Sequence, residues 1–467
     1  MKAFVRFIYL LLLIDYHMKP NVLFLIIDSL RADKFPQKNQ NNSSPNISSL
    51  VQDGTLFSNT ISSANATILS WSSLFTSKFP FKTGIRSSRF NKLDSNIETS
   101  FDVLKNNNYR LYGYLPKLSE TVGLFPKFDN DDYLYDFYIG LSNGLGEEII
   151  KKTDSNLPTP WFFLVHSMDL HQPINVSKKF DITKFGMSSY ERKVSEIDFW
   201  IGKIIKKIDL KNTILIITGD HGDYIKSANI ANKELDFNPD HNKEVLRSKI
   251  SKHAPKFLKP LKDKVFFSLE KQTQVRKSKI LHDLDLRDYE KRAIIAGKAD
   301  KDHFLFDELI KVPFLISGPK ISKNRLINQQ ICTVDIFPTL FELLGLKFQS
   351  DVDGINLIPL VNGKNIPEQP AYIESNPLVL TESNDVIGIR TSKYKYFRDK
   401  NDPSKRIHLF NLKTDPYEET NLSSETELIK KFEEILISLL GDYSEKISQN
   451  TSESDEIEQE LRKLGYV

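Results

Sequence analysis

The stretch NVLFLII, from Asn21 to Ile27, constrains this chain most. Its apolar residues follow one another without polar alternation. That describes a strand covered on both faces, since a strand with one wet face would carry a polar side chain at every second position. Such strands belong to parallel sheets, whose crossover connections lay helices on each side. WFFLV at Trp161 to Val165, TILIIT at Thr213 to Thr218, and Val312 to Ser317 repeat the pattern. Tyr190 to Ile208 sets Val194, Ile197, Trp200, Ile201, Ile204 and Ile208 at helical spacing. Ile97 to Asn106 and Val334 to Leu344 also read as helices, the latter with Pro338 in its first turn, where proline is tolerated. A short helix near Ile47 to Gln52 and strands at Phe57 to Ile61 and Tyr109 to Tyr114 fill in the order. The alternation predicts an α/β sandwich with a central, mostly parallel sheet flanked by helices.

Sites in such sheets lie beyond the carboxyl ends of the strands. Asp28, His166 and Asp220 each stand just after an apolar run, so they are expected to share a site. Asp220 and His221 leave one tight turn, GDHGD. Two Asp and one His offer hard oxygen and borderline nitrogen donors, which suit a divalent cation such as Mn, Zn, Mg or Fe. The stretch NATILSWSSLFTSKFPFKTG, Asn65 to Gly84, brings a hydroxyl to the same chemistry. Thr67 opens a helical pattern carrying Leu69, Leu74 and Phe75, and a hydroxyl at a helix N-terminus can attack an anionic ester because the first N–H groups and the dipole stabilise the charge. Lys117, His171 and His303 could hold the anionic oxygens or protonate a leaving group. Each residue also has a plain reading. Asp28 could be only a helix cap, His171 only a loop residue, and Thr67 only an N-cap.

Composition bounds the alternatives. With 467 residues, 40% hydrophobic and 27% charged, the chain can bury a large core. A net charge of +3 carries no nucleic-acid signal. Cys332 is the single cysteine, which excludes intrachain disulfides and cysteine metal sites and points to a reducing compartment. Residues 1–18 read either as a non-native start ahead of Met18 or as a weak signal or anchor. Their apolar run, Phe7 to Ile14, is shorter than the roughly 20 residues of a stable membrane span. A cytoplasmic location follows unless residues 1–17 act as an export signal or anchor. From Lys243 to Lys279, twelve Lys/Arg face three acids, so the rest of the chain is acidic on balance. Residues 224–300 are therefore expected to form a basic insertion or lid within a catalytic domain spanning 19–368. From 369 to 467, shorter pieces at Val386 to Arg390, Tyr394 to Arg398 and Leu409 to Leu412, then a charged helix from Glu425, suggest a small C-terminal α+β subdomain with a helical tail.

In order, these pieces resemble the sulfatase family of the alkaline phosphatase superfamily. KPNVLFLIIDSLRAD (Lys19 to Asp33) looks like its first strand and metal loop, and Thr67 to Gly84 like its nucleophile segment. FFLVHSMDLHQP (Phe162 to Pro173) is similar to its histidine-bearing strand, and TILIITGDHGD (Thr213 to Asp223) to its second metal loop. HFLFDELIKVPFLISGP (His303 to Pro319), VDIFPTLFELLGL (Val334 to Leu346), DVDGINLIPLV (Asp351 to Val361), IRTSKYKY (Ile389 to Tyr396) and LFNLKTDPYEETNL (Leu409 to Leu422) look like later parts. The resemblance implies an alkaline-phosphatase-like sandwich. It implies one divalent metal ion (Mn, Zn, Mg, Fe or Ca) held by Asp28, Asp220, His221 and Thr67. Thr67 would be the nucleophile, His171 and His303 would lie near the sulfuryl or phosphoryl oxygens, and Lys117 would fall near the family's anion-binding lysine.

The chain also departs from the family pattern. The family has Cys or Ser where Thr67 stands, within C/S-x-P-x-R, and oxidises it to formylglycine. Here Leu69 replaces the proline and Trp71 the arginine, and threonine cannot give the aldehyde. No formylglycine is expected, so Thr67 itself must attack. Ser29 stands where a second Asp is usual, and His221 replaces a frequent Asn. The expected function is a metal-dependent hydrolase of sulfate or phosphate/phosphonate esters, acting on an anionic small-molecule or glycan ester. Two alternatives are a transferase moving a phospho-alcohol group onto glycan or lipid, and an inactive binding protein for anionic polymers. Homo-oligomerisation is left open.

Overall fold

In the computed structural model, residues 19–36, 43–85, 92–136, 139–230, 233–237, 259–296, 305–375 and 385–441 are described. The strands are β1 (Asn21–Ile27), β2 (Gly54–Ile61), β3 (Arg110–Pro116), β4 (Leu134–Tyr135), β5 (Trp161–Ser167), β6 (Thr213–Thr218), β7 (Ser227–Ile230), β8 (Lys233–Asp236), β9 (Lys311–Ser317), β10 (Arg325–Ile327), β11 (Ile331–Cys332), β12 (Ala371–Glu374), β13 (Val386–Arg390), β14 (Tyr394–Asp399) and β15 (His408–Asn411). The main helices are α1 (Pro45–Gln52), α2 (Thr67–Thr76), α3 (Ser100–Asn106), α4 (Ser189–Ile205), α5 (Lys259–His282), α6 (Ile336–Leu344) and α7 (Thr426–Leu440).

The large sheet runs β10-β2-β9-β6-β1-β5-β3-β4, with β11 beside β2. Every pairing in it is parallel except those of β9, which opposes both β2 and β6. β1 is central and buried at every position, as its unbroken apolar run requires. Its residues alternate between two cores. Val22, Phe24 and Ile26 enter one with Leu74, Phe75 and Phe337, while Leu23, Leu25 and Ile27 enter the other with Ile197, Ile201 and Leu50. Phe24 stacks on Phe337 of α6 at 5.4 Å between ring centroids. The result is a sheet between two helical layers, α2, α3 and α6 on one side and α1 and α4 on the other. A buried Phe or Leu contributes about 1.5–3 kcal/mol, so these two apolar faces dominate the fold's stability.

β12 to β15 form a separate antiparallel sheet, covered by α7 through Phe432, Leu436 and Leu440. The basic segment is only partly described. It includes the hairpin β7–β8 and α5, whose side chains are described from Lys271 onward. Leu281 is buried against Ile294 of a short following helix, and Lys271, Arg276 and Lys279 are exposed. Residues 1–18 lie outside the described residues. Among those described, no helix is long and apolar enough to cross a membrane.

Candidate active site

The parallel register brings three strand ends together. Ile26 pairs with His166 on one side and with Thr218 on the other. Asp28, one residue past β1, donates its N–H to the Ser167 carbonyl at 2.9 Å. Asp28 and Asp220 are both buried. The turn after β6 then delivers Asp220 and His221, and it closes only because Gly222 has no side chain. A Cβ there would collide with the Glu308 carbonyl. Gly222 N–H donates to the Leu309 carbonyl at 2.8 Å, which fixes the turn against the segment 307–310.

Ser29 holds the two loops to each other. Its backbone is left-handed, φ +60°, a strained position for a serine. The strain is held by three bonds. Ser29 N–H donates to Asp220 Oδ1 at 3.2 Å, Ser29 Oγ donates to Asp28 Oδ1 at 2.7 Å, and the Tyr190 hydroxyl donates to the Ser29 carbonyl at 2.7 Å. Asp220 Oδ1 also accepts the His221 N–H at 2.8 Å. Both Oδ1 atoms are thus taken by neighbouring donors, and both Oδ2 atoms face the space between the loops.

Thr67 enters that space from α2. It is the first helical residue; the N-cap is Ala66, extended at φ −153°, with no side-chain cap bond. The hydroxyl is therefore not used in capping. It donates to Asp28 Oδ2 at 3.2 Å and lies 3.2 Å from His221 Nε2. His221 Nδ1 donates to the Gly222 carbonyl at 2.6 Å, which leaves Nε2 as the atom that faces Thr67 and Asp220 and that takes a cation once it gives up its proton. Asp28, Asp220 and His221 offer one donor atom each, all within 4.8 Å of one another. Two carboxylate oxygens and an imidazole whose other nitrogen is already bonded form a donor set that fits a divalent cation.

The charges agree with that geometry. Burial alone would raise the Asp220 carboxyl, but the His221 charge and the His166 hydrogen bond outweigh it and hold Asp220 well below the usual carboxylate range. His221 moves the other way. Burial pulls it down, and the Asp220 and Asp28 charges more than offset that pull. Tyr135, whose hydroxyl donates to the His166 carbonyl, is pushed well above its ordinary value by burial and by Asp28, Asp169 and Asp220.

Asp28, Thr67, Asp220 and His221 come together in one cluster. His171 follows β5 in a partly buried turn, its Nδ1 donating to the Gln172 carbonyl at 2.8 Å. Lys117 follows β3 and is half-exposed, paired with Asp136 at 2.6 Å; no hydrogen bond or ion pair among the described residues joins it to the cluster. His303 lies outside the described residues. Beyond the residues expected to bind metal or react, the structure adds His166, 3.4 Å from Asp220 Oδ2 and 3.7 Å from Asp28 Oδ2. Its signal in the sequence was its place at the end of an apolar run. Trp71 and Leu69, which stand where a formylglycine motif would carry arginine and proline, are buried in the core.

Residues 20–346 match the family model "Sulfatase", and residues 297–445 match "N-sulphoglucosamine sulphohydrolase, C-terminal". Mouse (Mus musculus) arylsulfatase K is 28% identical over 127 residues, covering 26% of this chain and 23% of that protein. This chain therefore matches about a quarter of that relative's length. An ulvan-active sulfatase of Formosa agariphila is 22% identical over 520 residues, covering 97% of this chain and 86% of the other. Among solved structures, the phosphonate monoester hydrolase of Agrobacterium radiobacter has the same fold, with a TM-score of 0.61 at 16% identity, covering 93% of this chain and 99% of that one.

Proposed function

The chain belongs to the sulfatase family, and from that premise we propose that it is a metal-dependent hydrolase cleaving sulfate or phosphate/phosphonate esters by in-line attack of Thr67. The observation that carries the proposal is the Thr67 hydroxyl, seated 3.2 Å from both Asp28 Oδ2 and His221 Nε2. Asp28, Asp220, His221 and Thr67 would hold one divalent ion, which when bound supplies charge that lowers the hydroxyl pKa and offsets charge on the transferring group.

Thr67 Oγ1 bonds to sulfur or phosphorus as the ester oxygen departs. The hydroxyl proton leaves toward Asp28 Oδ2, the acceptor it already faces. The first N–H groups of α2 favour negative charge beside Thr67. His171, oriented through Nδ1 by Gln172, gives a proton from Nε2 to the leaving oxygen. Water then attacks the sulfo- or phospho-threonine at sulfur or phosphorus and gives a proton to His171, while the bond to Thr67 Oγ1 breaks and Asp28 returns its proton to that oxygen, which releases the anion and restores all three groups.

An anionic glycan ester is the substrate class best supported. One match carries the name of an N-sulphoglucosamine sulphohydrolase, a relative is named for activity on ulvan, and α5 presents Lys271, Arg276 and Lys279 to solvent. We assign the basic segment the role of a rim that steers such substrates. Changing these three residues to glutamate should lower kcat/KM for a polyanionic substrate several-fold at low salt and flatten its salt dependence, with kcat unchanged. An unchanged salt slope would put the steering elsewhere.

A panel of aryl sulfate, phosphate monoester, diester and phosphonate substrates, run with several divalent metals, tests the function. Expected are stoichiometric metal, turnover of at least one ester class, loss with EDTA and recovery on metal addition. Product that forms only with an acceptor alcohol would make the protein a transferase. No cleavage by the metal-loaded protein would make it a binding protein.

A further inference from the structure

His166 is fully buried, and its Nε2 faces the same Oδ2 atoms of Asp28 and Asp220 that point into the cluster. Two roles fit that position. A metal-binding imidazole uses one nitrogen's lone pair and donates its other N–H to a fixed acceptor. His221 has this arrangement, with Nδ1 on the Gly222 carbonyl. His166 does not, because its Nδ1 is buried without a hydrogen-bond partner among the described residues. A proton left on Nδ1 would be an unpaired buried donor, whereas a bare Nδ1 leaves only an unpaired acceptor. The Trp71 ring meets His166 edge-on at 4.8 Å, and its Nε1–H is likewise buried without a partner among the described residues. An orphaned donor beside that ring favours the acceptor form of Nδ1.

We propose that His166 is a positioning residue of the metal centre: its Nε2–H donates to Asp220 Oδ2 with Asp28 Oδ2 beside it and holds the two carboxylates converged, while His221 alone supplies imidazole nitrogen to the cation. This rests on the metal-binding reading of the cluster. Asp28 Oδ1 is held by Ser29 Oγ, and Asp220 Oδ1 by two backbone N–H groups. His166 supplies the matching contact on the Oδ2 side. Without it, two buried carboxylates would face each other across the cluster with nothing from the sheet between them.

The test compares wild type, His166→Gln and His166→Leu by calorimetric titration with Mn²⁺ alone and by pulsed EPR with Cu²⁺ alone. Glutamine sets an N–H donor near the place of Nε2; leucine removes it. His166→Leu should weaken Mn²⁺ binding by about 10–100-fold, and His166→Gln should recover most of the affinity. The EPR modulation should show a single bound imidazole in wild type, retained in His166→Gln and absent in His221→Ala. Two imidazoles in wild type, with one lost in His166→Gln, would make His166 a ligand and overturn the proposal. Unchanged Mn²⁺ affinity in His166→Leu would overturn it too, while leaving the metal site standing. If wild type binds no stoichiometric Mn²⁺ or Cu²⁺, the metal-binding reading itself fails. Should the leucine variant not fold, the EPR count on His166→Gln still decides.

Discussion

Thr67→Ala is expected to lower kcat by at least about 10³-fold while the protein still folds and binds metal, because the variant removes the atom that forms the covalent bond. Folding should be untouched. Thr67 makes no cap bond, alanine is a good helix former at the first helical position, and a change of this kind stays within about 0.5 kcal/mol. Metal affinity should fall only modestly, since Asp28, Asp220 and His221 remain. Thr67→Ser keeps the hydroxyl and should retain measurable turnover, reduced because the freed rotamer is less well aimed. Thr67→Cys gives a sharper control. Leu69 and Trp71 sit in the core, so the C-x-P-x-R context for formylglycine is absent, and the mass of this variant should show no aldehyde after expression. Single-turnover kinetics with intact-mass detection would check the covalent step directly. Full activity in metal-loaded Thr67→Ala would show that water or another group attacks.

The sheet was legible because β1, β5 and β6 are built on runs of four or more consecutive apolar residues. Runs such as NVLFLII and TILIIT can lie only between two apolar layers. The direction of β9 was not legible. VPFLIS reads like the parallel runs, and its reversal comes from the path of the chain through 305–310, which no local pattern encodes. The cluster was legible as far as strand ends predict it, which covers Asp28, Asp220 and the neighbourhood of His166. The choice between His166 and His171 was not, since both leave the same strand end. Only register shows that His166 lies level with Ile26, facing the carboxylates. Lys117 illustrates the opposite case. The resemblance puts it near an anion-binding lysine, while its ammonium is engaged by Asp136, a partner 19 residues away that no motif marks.

Arg390→Met is expected to destabilise the protein by about 3–5 kcal/mol and to weaken metal binding, although Arg390 touches no residue of the cluster. The reason lies in a buried ionic network that fastens the C-terminal sheet to the catalytic sheet. Arg390 donates to Asp307 through Nε at 2.9 Å and Nη2 at 2.7 Å, and through Nη1 to Gln330 at 2.6 Å. Lys395, also buried, reaches Asp307 at 2.6 Å and Glu418 at 2.7 Å. Burial would raise the Asp307 carboxyl, yet Arg390 and Lys395 together hold it well below its ordinary value. Asp307 therefore contributes stability that is present above the usual carboxylate range and lost as pH falls. Glu418 shows the opposite sign. Burial outweighs the pull of Lys395 and, with the Asp307 and Glu308 charges, pushes it up to about 7, so its unfolded form releases a proton first and stability falls as pH rises from about 4.5 toward 7. Removing Arg390 takes from Asp307 the cation that holds both of its oxygens and leaves a largely buried carboxylate under-compensated. Asp307 begins the short helix Asp307–Ile310, where the Leu309 carbonyl holds Gly222 N–H and the Glu308 carbonyl abuts Gly222. Loosening that helix loosens the turn carrying Asp220 and His221. Thermal unfolding should show a Tm lower by about 3–5 °C, and Mn²⁺ titration of the folded variant should show a higher Kd. Adding Asp307→Leu should recover part of the stability, because the uncompensated charge is then gone. A Tm within about 1 °C of wild type, roughly the shift of 1 kcal/mol in a chain of this size, would mean the network contributes little and the two sheets are held by apolar contacts such as that of Tyr372 with Phe81 instead.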